Sequence, residues 1–480
     1  MIEFKQAKAK IICTLGPSSN SVNTLVNLIR SGMDVVRLNF SHGTHDEHLA
    51  TVKNVQEATR RTGMEVTVLQ DLQGPKIRIG DFGVPFIELK QGKRFAITTE
   101  PVVGTEEVVS TTYANLTRDV RPGDRILLDD GKLRIRVLEV KRNTVVGEVE
   151  IGGTLSAHKG INLPGVSVSA PSFTEKDLKD LEFGITLDID YVALSFVRTA
   201  DDIRGLRKII IERVEKGRFL PIIAKIEKPQ AVANIDAIIA EADGIMIARG
   251  DLGVELPAED VPILQKMIIK KCNALGKPVI IATQMLESMI NNPTPTRAEA
   301  SDVANAVLDG GDAVMLSGET SVGKYPLEAV QIMDRIIKKV ESEQVGQVQA
   351  LERSLGVVES RLDALGRAAC MLAEQMNAAA IVTVTHSGET ARVIARYRPR
   401  PKIIAITDRT KILRRLNLVW GVHGMVIEEL IDDSDKALQK IQERLVNSDL
   451  VRRGEYVVML AGQPFFARGS TNFIKVEKIL

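Results

Sequence analysis

Short runs of branched aliphatic residues, each closing on polar or glycine positions, recur through roughly the first 320 residues of the chain. Because successive rather than alternate positions are apolar, these runs predict parallel strands buried on both faces. Eight stand at Ile11–Leu15, Asp34–Asn39, Val66–Asp71, Asp190–Ser195, Pro221–Ile226, Gly244–Ala248, Pro278–Thr283 and Asp312–Leu316. Segments with helical spacing follow them, at Val22–Arg30, Asp46–Arg61, Glu175–Phe183, Ala200–Glu215, Ala231–Glu241, Pro262–Leu275, Arg297–Leu308 and Pro326–Val340. Eight strand–helix units predict an α/β fold of the (β/α)8 TIM-barrel type, with an open doubly wound sheet as the alternative.

Between the third strand and its helix about 95 residues intervene in which helical spacing disappears. Alternating stretches such as Arg94–Thr98, Arg125–Leu128, Lys132–Val140 and Thr144–Ile151 are separated there by glycine and proline punctuation. They predict a small β-barrel lid inserted in a barrel loop over residues 76–171, entered and left through Pro75 and Pro171. The barrel then takes residues 1–75 and 172–344. The polar stretch Glu341–Arg353 leads into a third domain, residues 345–480, with helix Leu362–Gln375 and strands at Ala380–Thr383, Lys402–Ile406, Val422–Ile427, Tyr456–Ala461 and Phe473–Val476. Its last two strands have no helix between them, which predicts a mixed sheet.

Composition narrows the classes of function. The 480 residues are 44% hydrophobic and 26% charged, with 63 Lys plus Arg against 62 Asp plus Glu. Near-neutral charge provides no field to attract a polyanion, and an aromatic share of 4% provides few stacking platforms, so nucleic acid is not an expected partner. No stretch approaches the ~18 uninterrupted apolar residues of a membrane span. Cys13, Cys272 and Cys370 are far apart and form no paired motif, which predicts a reduced, cytoplasmic protein.

In a barrel of this kind chemistry collects at the carboxyl ends of the strands. There the chain places Arg37, Asn39 and Ser41; Asp71; Lys225 and Glu227; Arg249, Gly250 and Asp251; Thr283 and Gln284; and Ser317 and Glu319. Glu227 and Asp251 are hard oxygen donors with no His or Cys beside them, which suits Mg2+ or Mn2+. Lys225 and Glu227, two apart on a strand, point the same way, so a cation stands beside the metal ligand. That pairing suits a small phosphorylated carboxylate. Arg37 adds a planar fork for phosphate oxygens. The glycines of Arg249-Gly250-Asp251-Leu252-Gly253 let backbone amides approach a carboxylate. His42, His45 and His48 recur at a spacing of three without completing a metal box.

At these residues the chain resembles the pyruvate kinase family over nearly its whole length. The resemblance is carried by IICTLGPSS, VVRLNFSHGTHDEH, DLQGPKIR, HKGINLPG, AKIEKPQA, DGIMIARGDLGVELP, ATQMLESMI with PTRAEASDVANAVLDG, and VMLSGETSVGKYPLEAV. It implies a barrel, a β lid, a regulatory C-terminal α/β domain and a homotetramer. The implied reaction is phosphoryl transfer from phosphoenolpyruvate to ADP, giving ATP and, after enolate protonation, pyruvate. Lys225 matches the family's essential lysine, Glu227 and Asp251 its divalent-metal ligands, and Arg37 its substrate-clamping arginine. Thr283 matches the threonine linked to proton delivery, by way of water and Ser317, and the amides of Arg249, Gly250 and Asp251 match the carboxylate-holding loop. Pro17, Asn39, His42, Arg78 and Lys159 match the nucleotide site.

Two departures bear on cations and nucleotide. Many members bind K+ at positions matching Asn39, Ser41 and Asp71 plus a threonine, and carry DTKGPEIR where this chain has DLQGPKIR. Leu72 removes the threonine hydroxyl and Lys76 puts a tethered ammonium in place of a glutamate, so turnover is expected without K+. Val322 stands where some members have a nucleotide-site lysine, with Lys324 two residues on. In the C-terminal domain Thr385, Ser387, Gly388 and Thr390 resemble the effector-phosphate loop, where a helix N-terminus could hold a phosphate. His386 and the terminal stretch AGQPFFARGSTN depart from members activated by a sugar bisphosphate, so AMP or a sugar monophosphate is the expected activator. The rivals are a Mg2+-dependent lyase or aldolase acting on pyruvate enolate, and a non-catalytic metabolite sensor.

Overall fold

The computed structural model describes residues 7–166, 168–215, 219–343, 360–427, 434–462 and 471–480. Eight parallel strands close into a barrel: β1 (Lys10–Thr14), β2 (Met33–Asn39), β3 (Thr67–Asp71), β12 (Tyr191–Leu194), β13 (Ile222–Ile226), β14 (Gly244–Ala248), β15 (Val279–Ala282) and β16 (Ala313–Leu316). β1 pairs with both β2 and β16, which seals the ring and removes the open-sheet alternative. The eight predicted runs are these eight strands.

Strand periodicity divides the barrel into an aliphatic floor and a polar mouth. Ile12, Val35, Leu69, Ala193, Ile223, Met246, Ile280 and Met315 fill the interior as one cluster. Two residues further along four of these strands, on the same face, come Thr14, Arg37, Asp71 and Lys225. The intervening residues, such as Ile11, Val36, Ala224 and Ile226, pack outward against the helical ring. Capping boxes at Thr44 with Glu47, Thr174 with Asp177 and Thr296 with Glu299 start three of those helices by giving their first amides an acceptor. The predicted helix Ala231–Glu241 is broken at Asn234 into Pro229–Ala233 and Ile235–Glu241.

The insertion after β3 is all β apart from one turn of helix at Leu116–Asp119. Its strands are β4 (Phe86–Leu89), β5 (Arg94–Thr98), β6 (Val108–Ser110), β7 (Arg125–Leu128), β8 (Leu133–Val140), β9 (Thr144–Ile151), β10 (Gly153–Ser156) and β11 (Ile161–Asn162). They form a curled six-stranded sheet, ordered β11-β7-β8-β9-β5-β6, and the ribbon β10-β4 around a separate core containing Phe95, Ile97, Leu116 and Ile126.

The C-terminal α/β unit has the sheet order β19-β18-β17-β20-β21, from β17 (Ala380–Val384), β18 (Lys402–Thr407), β19 (Val422–Val426), β20 (Tyr456–Ala461) and β21 (Phe473–Lys478). β21 runs antiparallel to β20, so the sheet is mixed, as the missing helix requires. This unit docks under the amino-terminal ends of the barrel strands, where its Leu418 completes the floor cluster. The segment 463–470, most of the divergent terminal stretch, and the link 344–359 lie outside the described residues.

Candidate active site

At the barrel mouth the charged residues form one connected network. The Lys225 ammonium lies 2.9 Å from Glu227 Oε1 and 3.2 Å from Asp71 Oδ1, and donates to Ser195 Oγ at 2.8 Å. Arg37 Nε donates to Asp71 Oδ2 at 2.7 Å and its Nη1 to Thr14 Oγ1 at 2.9 Å. Burial alone would strip the proton from Lys225, but Asp71 and Glu227 outweigh it and hold the ammonium well above the ordinary lysine range. Asp71 is likewise fully buried, which favours its neutral form, yet Lys225 and Arg37 keep its carboxyl below the usual range. The geometry therefore favours an ammonium at Lys225 and a carboxylate at Asp71.

Asp251 behaves differently. Burial and then the Glu227 carboxylate push it up to about 6, against the opposing pull of Lys225 and Lys76. The buried Glu227 just beyond β13 and the half-buried Asp251 in the first turn of the helix after β14 repel one another and make a donor set that a hard divalent cation would satisfy. Glu227 Oε2 is further oriented by the Phe196 amide, at 2.8 Å. Among the described residues no group of three or more His, Cys, Asp or Glu gathers for a metal. The three spaced histidines diverge: His45 pairs with Asp180 at 2.8 Å and stacks on Phe183, and His48 is buried against Phe40. His42 faces the mouth, its imidazole lowered by burial and by Arg78, Lys76 and Arg37.

The stretch read from sequence as a loop after the sixth strand is the helix Arg249–Glu255. The Arg249 side chain turns away to Asp302 and to the carbonyl of Thr283, both within 2.8 Å. The Gly250 amide donates to Thr283 Oγ1 at 2.7 Å, and that hydroxyl donates to the Ala282 carbonyl at 2.6 Å. Thr283 and Gln284 have φ of 69° and 54°, left-handed values that are unusual for a β-branched residue and mark a strained turn aimed at the site. The Ser317 amide is held by Glu319 Oε2 at 2.7 Å, and burial raises that carboxyl.

The remaining predicted residues frame the mouth. Asn39 Oδ1 accepts the Ser41 amide at 3.1 Å. Pro17 is exposed, on a loop packed so closely against Ser321 that a Cβ on Gly16 would lie 2.6 Å from its carbonyl oxygen. From the lid side, Arg78 Nη1 donates to the His158 carbonyl at 2.9 Å, and Lys159 pairs with Asp129 at 2.8 Å. Leu72 is buried in the layer between strands and helices, while the Lys76 charge acts on both Asp251 and His42. Val322 and Lys324 are both exposed. Thr385, Ser387, Gly388 and Thr390 lie far along the chain at the end of β17: Thr385 Oγ1 accepts the Gly388 amide, Ser387 Oγ accepts the Glu389 amide, and Thr390 bonds Thr471. His386 pairs with Asp408 at 3.1 Å.

Ser195, Phe196 and Thr14, which aim Lys225, Glu227 and Arg37, were not singled out from sequence. Ser195 ends the fourth predicted strand, so the strand-end rule pointed at it. The Phe196 amide carries no side-chain signal.

A closed β/α barrel with a lysine, an arginine and paired carboxylates at its mouth, a β lid above and an α/β domain below defines a barrel enzyme built for small anionic substrates. Comparison with known proteins makes this specific. The family profile described as pyruvate kinase, barrel domain, matches residues 6–330, and that for pyruvate kinase, alpha/beta domain, matches residues 363–477. The chain is 48% identical to a pyruvate kinase of Geobacillus stearothermophilus over 98% of its own length and 80% of the relative's. It is 45% identical to one from Corynebacterium efficiens, covering 98% of both. The crystal structure of a pyruvate kinase from Cryptosporidium parvum superposes with a TM-score of 0.93 at 39% identity, covering 99% of this chain and 97% of that one. The chain belongs to the pyruvate kinase family, and the enzyme is a phosphotransferase.

Proposed function

We propose that this enzyme moves the phosphoryl group of phosphoenolpyruvate to ADP at the barrel mouth, with Lys225, Arg37, Thr283 and Ser317 in the chemistry and Glu227 and Asp251 holding Mg2+ or Mn2+. The observation that carries this reading is the placement of Lys225 Nζ, 2.9 Å from Glu227 and 3.2 Å from Asp71, a setting that favours the ammonium. A permanent cation there neutralises charge on a phosphoryl group in flight without moving a proton. The bound divalent cation would supply Lewis-acid stabilisation of phosphoryl and enolate oxygens. Arg37, fixed by Asp71 and Thr14, orients the phosphate. The amides opening helix Arg249–Glu255 face the substrate carboxylate, with Gly250 exchanging its present bond to Thr283 for that ligand. Thr283, both of whose hydroxyl contacts are occupied, passes a proton through water and Ser317 rather than acting as a free base. Pro17, Asn39, His42, Arg78 and Lys159 hold ADP, the lid pair closing over its phosphates and excluding water.

The same reading makes the enzyme independent of K+. Of the positions that would ligate it, Asp71 is already paired with Arg37 and Lys225, and the Leu72 side chain packs in the core away from the mouth. Lys76 supplies a tethered positive charge beside Asp251. An activator bearing one phosphate, AMP or a sugar monophosphate, binds at Thr385, Ser387, Gly388 and Thr390, taking over bonds now made within the loop.

Coupled assay of pyruvate release in buffer free of Na+ and K+ tests the first part: full turnover is expected, and an order-of-magnitude activation by added K+ overturns it. Lys225→Ala is expected to lose at least about 10^3-fold in kcat while substrate still binds. Ser387→Asp is expected to abolish the activator response; an unchanged response removes the effector assignment.

A further inference from the structure

We propose that Glu255 is a positioning residue that couples lid closure to the helix carrying Asp251, through a bridge made by Asn162 and Lys228. The inference rests on the reading of Asp251 and its helix given above. Glu255 is the last residue of the helix Arg249–Glu255, and its carboxylate is 2% exposed. Its Oε1 accepts from two sides at once: from Lys228 Nζ of the barrel at 2.5 Å and from Asn162 Nδ2 of the lid strand β11 at 3.2 Å. Lys228 directly follows Glu227 and lies over the Phe196 ring, 5.6 Å from its centroid, the residue whose amide holds Glu227.

One short helix therefore carries the lid contact at its carboxyl end and Asp251 with the Gly250 amide in its first turn, about 6–8 Å apart at 1.5 Å per residue. A two-turn helix is stiff over that distance, so a lid that lets go of Glu255 leaves a buried carboxylate with Lys228 alone and frees the helix to tilt. The linkage is reciprocal: whatever anion or cation orders the first turn also favours the closed lid. The two units also run close beside the bridge: a Cβ added to Gly131 of the lid would lie 3.6 Å from Val254 Cγ1, ordinary packing distance. Asn162, Lys228 and Asp251 also line one cleft between the lid and the barrel, with Lys76, Asp130 and Phe196. Cleft closure and Asp251 placement are in this way parts of one motion.

The test uses the whole chain with spin labels at Lys90→Cys in the lid and Ile263→Cys in the barrel, both exposed positions, the three native cysteines being buried. Asn162→Leu has nearly the same shape and cannot donate; Asn162→Asp keeps the shape and sets a second carboxylate against Glu255. Both are expected to move the label distances toward an open lid and to raise KM for ADP by about three- to tenfold, with kcat changed less. Label distances and KM unchanged in both variants would overturn the proposal. The distance readout needs no substrate, so a failure of the bridge is distinguishable from a failure of the nucleotide assignments.

Discussion

The two domains attached to the barrel are held in opposite ways. Under the floor, the C-terminal unit pushes Leu418 into the barrel's aliphatic interior and surrounds it with ion pairs: Arg414 and Lys411 each lie 3.0 Å from the buried Asp190, and Arg398 lies 3.1 Å from Asp312. Above the mouth, the lid has its own core and meets the barrel through single polar contacts, Asn162 on Glu255 and the Val168 carbonyl accepting from Arg198 at 2.6 Å, and through the close approach of Gly131 to Val254. Apolar burial cannot be broken and remade cheaply, whereas a single hydrogen bond contributes only about 1 kcal/mol net. The lower joint is therefore the harder of the two to part, and the upper one the easier.

The strongest way to break this contrast is Leu418→Ala. Emptying the floor site is expected to cost about 2–5 kcal/mol, seen as a lowered denaturation midpoint of the barrel and C-terminal unit with the lid core unaffected. Asp190→Asn comes next: it leaves Arg414 and Lys411 with the half-exposed Asp188 as their remaining carboxylate, and its cost is expected between the roughly 1 kcal/mol of an exposed pair and the about 3–5 of a buried one, read by calorimetry.

At the upper joint Gly74→Ala sharpens the comparison by striking activity rather than stability. Gly74 has φ 67°, and an added Cβ would lie 2.8 Å from the Phe196 ring and 3.0 Å from Ser195 Cβ, the two residues that aim Glu227 and Lys225. A strain of about 1–2 kcal/mol placed there should lower kcat by about tenfold or more with a small change in melting.

The smallest effect is acid loosening of the lower joint. Burial would raise Asp188, but Lys411 and Arg414 hold its carboxyl below the usual range. A depressed carboxyl contributes stability that is present above its unfolded pKa of about 3.9 and is lost as pH falls through the lower folded value. Because Asp188 is half exposed, the contribution is expected at about 1 kcal/mol or less, measured as the part of the acid slope that Asp188→Asn removes.

Much of the site was legible beforehand because strand periodicity is strict. Arg37, Asp71 and Lys225 stand two residues beyond interior aliphatics, so their direction follows from spacing alone. The Arg249–Glu255 segment was read as the loop that follows the sixth strand, and its two glycines disfavour a helix. Burial of Leu252 and of the paired Glu255 overrides that propensity. The lid strands β4, β6, β10 and β11 were not named because two to four residues show little alternation, whereas the equally short β7 stands out between Pro122-Gly123 and Asp130-Gly131.

What the chain determined by itself is the barrel, its order and the inward charges, since hydrophobic periodicity and strand-end chemistry are local properties. What only the tertiary structure decided are the partners: Ser195 on Lys225, the Phe196 amide on Glu227, Asn162 on Glu255 and Leu418 in the floor. Each joins positions from 30 to more than 200 residues apart, and such closures are set by how the domains pack rather than by anything within a window of sequence.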